Sequence, residues 1–206
     1  MPDPVMSHAL PQRVSPLKLH ARQGRFGAVT ATGPGVRLSI RHPLSMVTVI
    51  ARAGQEAALA AAASQKLGVG LPAAGQWVQG ADLSISWAGA SQYLVIAPAR
   101  SEGALYQQLR QAFQGLASVS DQSHGRVMLR IEGPCARALL AKGTPVDLHP
   151  KAFGPGRVAL TQMAHVGVHL AQVGPDAFEL SLFRGFSEHF WEWLTEQAEE
   201  FGYEVM

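Results

Sequence analysis

The chain has 206 residues, of which 47% are hydrophobic and 16% charged, with 17 Lys and Arg against 15 Asp and Glu for a formal net charge of +2. That much apolar material supports a packed core and excludes an intrinsically disordered chain. A charge balance so near neutral lacks the concentrated basic surface that grips phosphates, so no nucleic-acid partner is expected.

Residues 1–35 carry many prolines and glycines, among them Pro2, Pro4, Pro11, Pro16, Pro34, Gly24, Gly27, Gly33 and Gly35, and show no sustained periodicity. They read as an extended N-terminal arm. Residues 36–41 and 46–52 read as strands parted by Pro43. An Ala-rich helix follows Gly54, with Ala58, Leu59, Ala62, Ala63 and Leu67 on one face and Gly68 as its stop. Leu83, Ile85 and Trp87 alternate with Ser84 and Ser86, the pattern of a half-buried strand. Residues 88–91 turn the chain, and 93–97 return as a more deeply buried strand. Ser101 is placed to cap a helix whose apolar face is Leu105, Leu109, Phe113 and Leu116.

The second half repeats this order. Val127, Leu129 and Ile131 alternate with Met128, Arg130 and Glu132. Gly133 and Pro134 open a helix where proline is best tolerated, Ala136, Leu139 and Leu140 form its apolar face, and Gly143 ends it. Strands are expected at about 157–164, 166–172 and 177–183. A last helix presents Phe186, Phe190, Trp193, Leu194 and Phe201 at helical spacing. The shared order of strand, glycine, helix, strands and longer helix supports a duplicated unit. The expected fold class is α+β: two intertwined units of antiparallel sheet and helix. The expected organisation is the arm, 1–35, and one domain, 36–206, made of two halves at about 36–118 and 119–206.

Few side chains suggest chemistry. Asp121, Ser123 and His124 lie close together, but Asp and Ser before Gly125 are ordinary turn formers that bond nearby amides. Catalysis needs nucleophile, base and oxyanion donors together, and no such set is evident. His149 follows Asp147 at a corner and is expected to donate to a main-chain carbonyl. His165 and His169 fall in strand and turn, and no metal-ligand spacing accompanies them. The single cysteine, Cys135, excludes an internal disulfide or thiolate cluster. It sits at a helix start, a setting that can activate a thiol, but reads as a packing residue. No phosphate-binding glycine motif follows a strand. In the last helix Trp191 lies off the main stripe, so a second face is expected to be buried. Trp191, Trp193 and His189 are the candidate interface residues. No catalytic, cofactor-binding or metal-binding residue is assigned.

The low charge density has two readings of equal weight: an Ala- and Gly-rich composition, or a surface covered by partners. No apolar run reaches the ~18 residues of a membrane helix, and residues 1–16 lack the apolar stretch of a secretory signal. The expected location is therefore the cytoplasm, with no membrane partner.

Three segments carry a family resemblance. Asp121-x-Ser-His-Gly-Arg126 through Ile131-x-Gly-Pro134, Ala136-Arg-x-Leu-Leu-Ala-Lys-Gly143 and Pro145-x-Asp-Leu-His-Pro150 with Phe153 form the first. Trp87-x-Gly-x-x-x-Tyr93-Leu-Val and Arg184-x-Phe-x-x-x-Phe190-Trp-x-Trp-Leu194 form the others. Together, over about residues 36–200, they resemble the gamma subunit of heterotetrameric sarcosine oxidase. Ala88, Ala90 and Tyr93 depart from that family's Trp-Leu-Gly-Pro-x-x-Trp signature. The resemblance implies a fold similar to the folate-binding domain of the glycine-cleavage aminomethyltransferase. It implies a non-catalytic structural subunit of a complex that demethylates sarcosine to glycine, forms hydrogen peroxide and passes the one-carbon unit to tetrahydrofolate. The implied partners are alpha, beta and delta subunits. FAD, FMN, NAD, tetrahydrofolate and zinc are expected in those subunits, and none in this chain. Two alternatives stay open. One is a subunit of a related enzyme such as N-methylglutamate dehydrogenase. The other is an independent folate-binding module, for which Asp121 is the candidate carboxylate.

Overall fold

The structure is a computed structural model that describes residues 13–29, 31 and 33–206. The first half contains β1 (Gly24–Phe26), β2 (Val36–Ile40), β3 (Leu44–Ala51), α1 (Glu56–Leu67), β4 (Trp77–Gln79), β5 (Ser84–Gly89), β6 (Gln92–Pro98), α2 (Ala104–Ala112) and β7 (Ala117–Asp121). The second contains β8 (Arg126–Glu132), α3 (Ala136–Ala141), β9 (Val158–Met163), β10 (Val166–Gly174), β11 (Ala177–Phe183), α4 (Ser187–Ala198) and β12 (Tyr203–Val205).

These strands form a five-stranded sheet, β4-β5-β6-β3-β7, and a seven-stranded sheet, β1-β12-β2-β8-β11-β10-β9. The duplication is visible in the pairing. β3-β6-β5-β4 in one sheet matches β8-β11-β10-β9 in the other, and every one of these pairs is antiparallel. On its free side β3 takes β7 antiparallel, and β8 takes β2 antiparallel. The strand completing the second unit thus comes from ahead of the first unit in the chain. That exchange intertwines the halves: β2 lies in the sheet of the second, and the 118/119 division falls inside β7. β12 then pairs parallel to β2 and antiparallel to β1.

Each sheet buries one face under its own helices, as period-two strands and amphipathic helices require. One core joins Val47, Val49, Ile85 and Val95 to Leu59 of α1 and Leu105 and Leu109 of α2. The larger core joins Leu38, Leu129, Leu170 and Leu180 to Leu139 of α3 and Phe190, Trp191 and Leu194 of α4. Leu17, upstream of β1, is fully buried in this second core. Residues 13–29 of the expected arm therefore lie along the chain's own domain, while residues 1–12 fall outside the described residues.

The other two faces turn toward each other. A small third cluster, Leu44, Met46 and Leu94 with Met128, draws on both sheets. The layer order is helices, sheet, sheet, helices, with a thin mixed interface in the middle.

Several local expectations need correction. Ser101 does not cap α2: the N-cap is Gly103 in a left-handed conformation, and no side chain bonds the helix start. Pro134 precedes the N-cap Cys135 instead of occupying the first helical position. Gly68 does end α1 in the left-handed conformation, but Gly143 serves another purpose. A Cβ there would collide with the Trp193 ring, so glycine lets α4 pack against the end of α3. Phe186, expected in the core, is 54% exposed, whereas Trp191 is only 4% exposed. Residues Arg184–Phe186 form a 3-10 turn ahead of α4, which breaks the 3.6-residue register between Phe186 and the helix.

Candidate functional site

Asp121, Ser123 and His124 do come together, in the β7–β8 turn, and their bonds are those of a turn. Asp121 Oδ1 accepts from the Ser123 amide at 2.8 Å. Ser123 Oγ accepts from the Met46 amide at 3.0 Å and donates to the Met46 carbonyl at 3.4 Å, tying the turn to β3. His124 Nε2 lies 3.0 Å from Glu102, whose other oxygen accepts from Arg13 at 2.8 Å. These bonds, from Arg13 first and His124 second, hold the Glu102 carboxyl below its ordinary range.

The remaining candidates disperse. His149 Nδ1 accepts from the Lys151 amide at 3.2 Å instead of donating to a carbonyl. His165 sits at positive φ in the β9–β10 turn, away from His169. Cys135 packs partly buried against the second core. Among the described residues no group of three or more His, Cys, Asp or Glu gathers to hold a metal ion. Of the candidate interface residues, Trp191 is consumed by its own core, Trp193 is half-buried against Gly143, and His189 is exposed.

The feature that draws polar groups from both halves is the cleft between the sheets. His169 of β10 and Ser86 of β5, both buried, meet there with Nε2 to Oγ at 3.0 Å. The same Nε2 lies 3.1 Å from the Trp87 carbonyl. That carbonyl only accepts, and a proton on Nε2 satisfies it. Burial holds the ring neutral, with a pKa pushed down to about 4. In that arrangement the contact with Ser86 is a cross-sheet tie between the two halves. Trp77 makes a second tie, donating from Nε1 to the Gln172 carbonyl at 2.9 Å.

Two cavities flank His169. One, of about 300 Å³, is bordered by Arg41, Trp77, Ser86, Arg130 and Glu179. Its arginines are paired: Arg41 bonds Glu179 at 2.9 Å, and Arg130 bonds Glu132 at 2.7 Å and Glu179 at 3.4 Å. The other, of about 450 Å³, is bordered by Thr48, Ala88, Leu94, Arg126, Leu160 and Phe183. Here Arg126 stacks on the Phe183 ring at 4.4 Å, and its buried Nε has no acceptor. Desolvation pulls its pKa down, and no carboxylate among the described residues pairs with it. Ser181, beside His169 in the β10–β11 register, also buries an unpartnered hydroxyl. Asp121 borders neither cavity. The sequence reading missed Arg126 because one arginine in an alternating strand carries no local signal.

Comparison with known proteins gives a consistent answer. A family model described as "Sarcosine oxidase, gamma subunit family" matches residues 52–200. The sarcosine oxidase subunit gamma of Corynebacterium sp. (strain U-96) is 37% identical over 148 residues, covering 70% of this chain and 69% of that one. A solved structure of heterotetrameric sarcosine oxidase from Corynebacterium sp. U-96, in complex with pyrrole 2-carboxylate, superposes with a TM-score of 0.79 at 32% identity. It covers 92% of this chain and 96% of the matched one. The glycine cleavage system aminomethyltransferase T from Bartonella henselae shares the fold, with a TM-score of 0.60 at 19% identity over 85% of this chain and 48% of its own.

Proposed function

The chain belongs to the sarcosine oxidase, gamma subunit family, and we propose that it serves as a subunit of a heterotetrameric sarcosine oxidase, completing the assembly without contributing reacting groups. The observation that carries this reading is the match along nearly its whole length to a chain of the heterotetrameric enzyme. The cleft is consistent with the second clause: His169 Nε2 lies within reach of both the Ser86 hydroxyl and the Trp87 carbonyl, the arrangement of a cross-sheet tie. In this reading the alpha, beta and delta subunits hold FAD, FMN, NAD, tetrahydrofolate and zinc, and the complex demethylates sarcosine in the cytoplasm. Among the described residues no helix is long and apolar enough to cross a membrane. In this reading the chain is one domain of two related halves, with residues 13–29 packed along it.

Co-expression with the other subunits tests the proposal. The chain should co-purify with a flavoprotein that turns over sarcosine, and omitting it should abolish assembly of the active complex. A stable monomer that never associates with a flavoprotein would overturn the reading. Micromolar tetrahydrofolate binding by the isolated chain, measured by calorimetry, would support an independent folate-binding module in its place.

A further inference from the structure

We propose that the open end of the inter-sheet cleft at Arg126 is a docking site for a partner subunit that inserts an acidic side chain between flanking apolar residues. The inference rests on the reading of the chain as a subunit of a complex.

Arg126 is the central observation. A guanidinium that loses part of its hydration is unfavourable unless a carboxylate or other acceptors replace it. Arg41 and Arg130, in the neighbouring cavity, have such partners. Arg126 has the Phe183 ring beneath it and an Nε without any acceptor. His169, which borders the same cavity, is held neutral and offers no charge. Arg184 borders an adjoining hollow with Arg126 and also has no carboxylate partner among the described residues. The site therefore carries an unbalanced positive charge, and its missing complement is an anion that enters from outside.

The rim indicates what kind of anion. Phe183 is 51% exposed and Leu160 46% exposed, and both border the cavity. Ile50, 42% exposed, lies two residues beyond Thr48 on the same face of β3. A small free anion would neutralise Arg126 and leave these side chains in water. A protein surface that presents a carboxylate among apolar side chains satisfies both features. The arrangement, a partly desolvated charge on an aromatic ring with exposed aliphatic side chains at the rim, is that of an interface hot spot.

The test uses the co-expressed complex. R126Q should weaken association of the gamma chain by 10-fold or more and flatten its salt dependence. K151Q, the same charge change at an exposed site away from the cleft, should leave both unchanged. The isolated R126Q chain should melt close to wild type, because relief of a partly desolvated cation offsets the lost stack on the Phe183 ring. A photo-crosslinking residue at position 183 should capture a partner subunit. Wild-type assembly with undiminished affinity and salt dependence for R126Q overturns the docking site and leaves the family role intact. Wild type that fails to assemble at all sinks both. Acetate binding abolished by R126Q, with assembly untouched, makes this a small-anion site and overturns the docking proposal.

Discussion

His169 and Ser86 meet across the two sheets, Nε2 to Oγ at 3.0 Å, and make a direct polar link between the duplicated halves. The ring is buried and neutral, with its pKa pushed down to about 4 by desolvation. An unfolded imidazole takes its proton near 6.5, so between that value and 4 the unfolded state binds more protons than the folded one. Stability contributed by His169 is therefore present at neutral pH, falls as pH drops through this window and levels off below it. The loss amounts to about 2 kcal/mol between pH 7 and pH 5. H169Q keeps a donor for the Trp87 carbonyl and cannot titrate. Urea unfolding at the two pH values should show the wild-type stability falling by that much more than the variant's. Parallel pH dependence in the two proteins would contradict the assignment.

Gly143 and Trp193 define the joint between α3 and α4. A Cβ at Gly143 would meet the indole ring and stand 2.8 Å from Met163 Cγ. G143A should cost about 1–3 kcal/mol through overpacking. Combining it with W193L should cost less than the sum of the single changes, since shrinking the ring makes room for the methyl. Thermal denaturation of the four proteins reads out this coupling. Strict additivity would show that the ring is not what keeps the position free of a side chain.

The β7–β8 turn distinguishes scaffold from chemistry. D121N retains the Oδ1 that accepts from Ser123 and should be neutral within about 0.5 kcal/mol, whereas D121A and S123A should each cost about 1 kcal/mol. None of the three should change turnover in an assembled complex by more than about twofold beyond what lost assembly explains. A D121N complex that assembles fully and is inactive would restore this residue to the chemistry.

Leu17 anchors the chain that leads into β1. It is fully buried in the larger core, so L17A should lose about 2–5 kcal/mol if that segment unfolds with the domain. Hydrogen exchange across β1 and β12 should rise with it. A change confined to residues 13–29, with the rest protected as before, would show that the segment unfolds on its own.

Long periodic elements were legible residue by residue. The alternation in β8 and β5 and the apolar run of β6 located those strands, and the Ala-rich and Leu-bearing faces located α1 and α2. β4, β7 and β12 were not legible. Each has three to five residues, and β7 reads Ala-Ser-Val-Ser-Asp, with little apolar pattern. Such segments become strands because an edge with free hydrogen-bonding groups lies beside them, which is a property of the neighbour. The alternation also implied that the Ser84–Ser86 face of β5 meets water. Instead Ser86 is buried, because a second sheet covers that face.

The sequence alone determined the α+β class, the repeated order of elements and the family, since these depend on local periodicity and on residues close together in the chain. Tertiary structure decided what lies between the halves. Ser86 and His169 are 83 residues apart, and Trp77 bonds a carbonyl 95 residues away. Arg126 is distinctive only because folding buries its Nε and supplies no carboxylate among the described residues. Desolvation and pairing are sums over everything that surrounds a group, so they exist only once both sheets have come together.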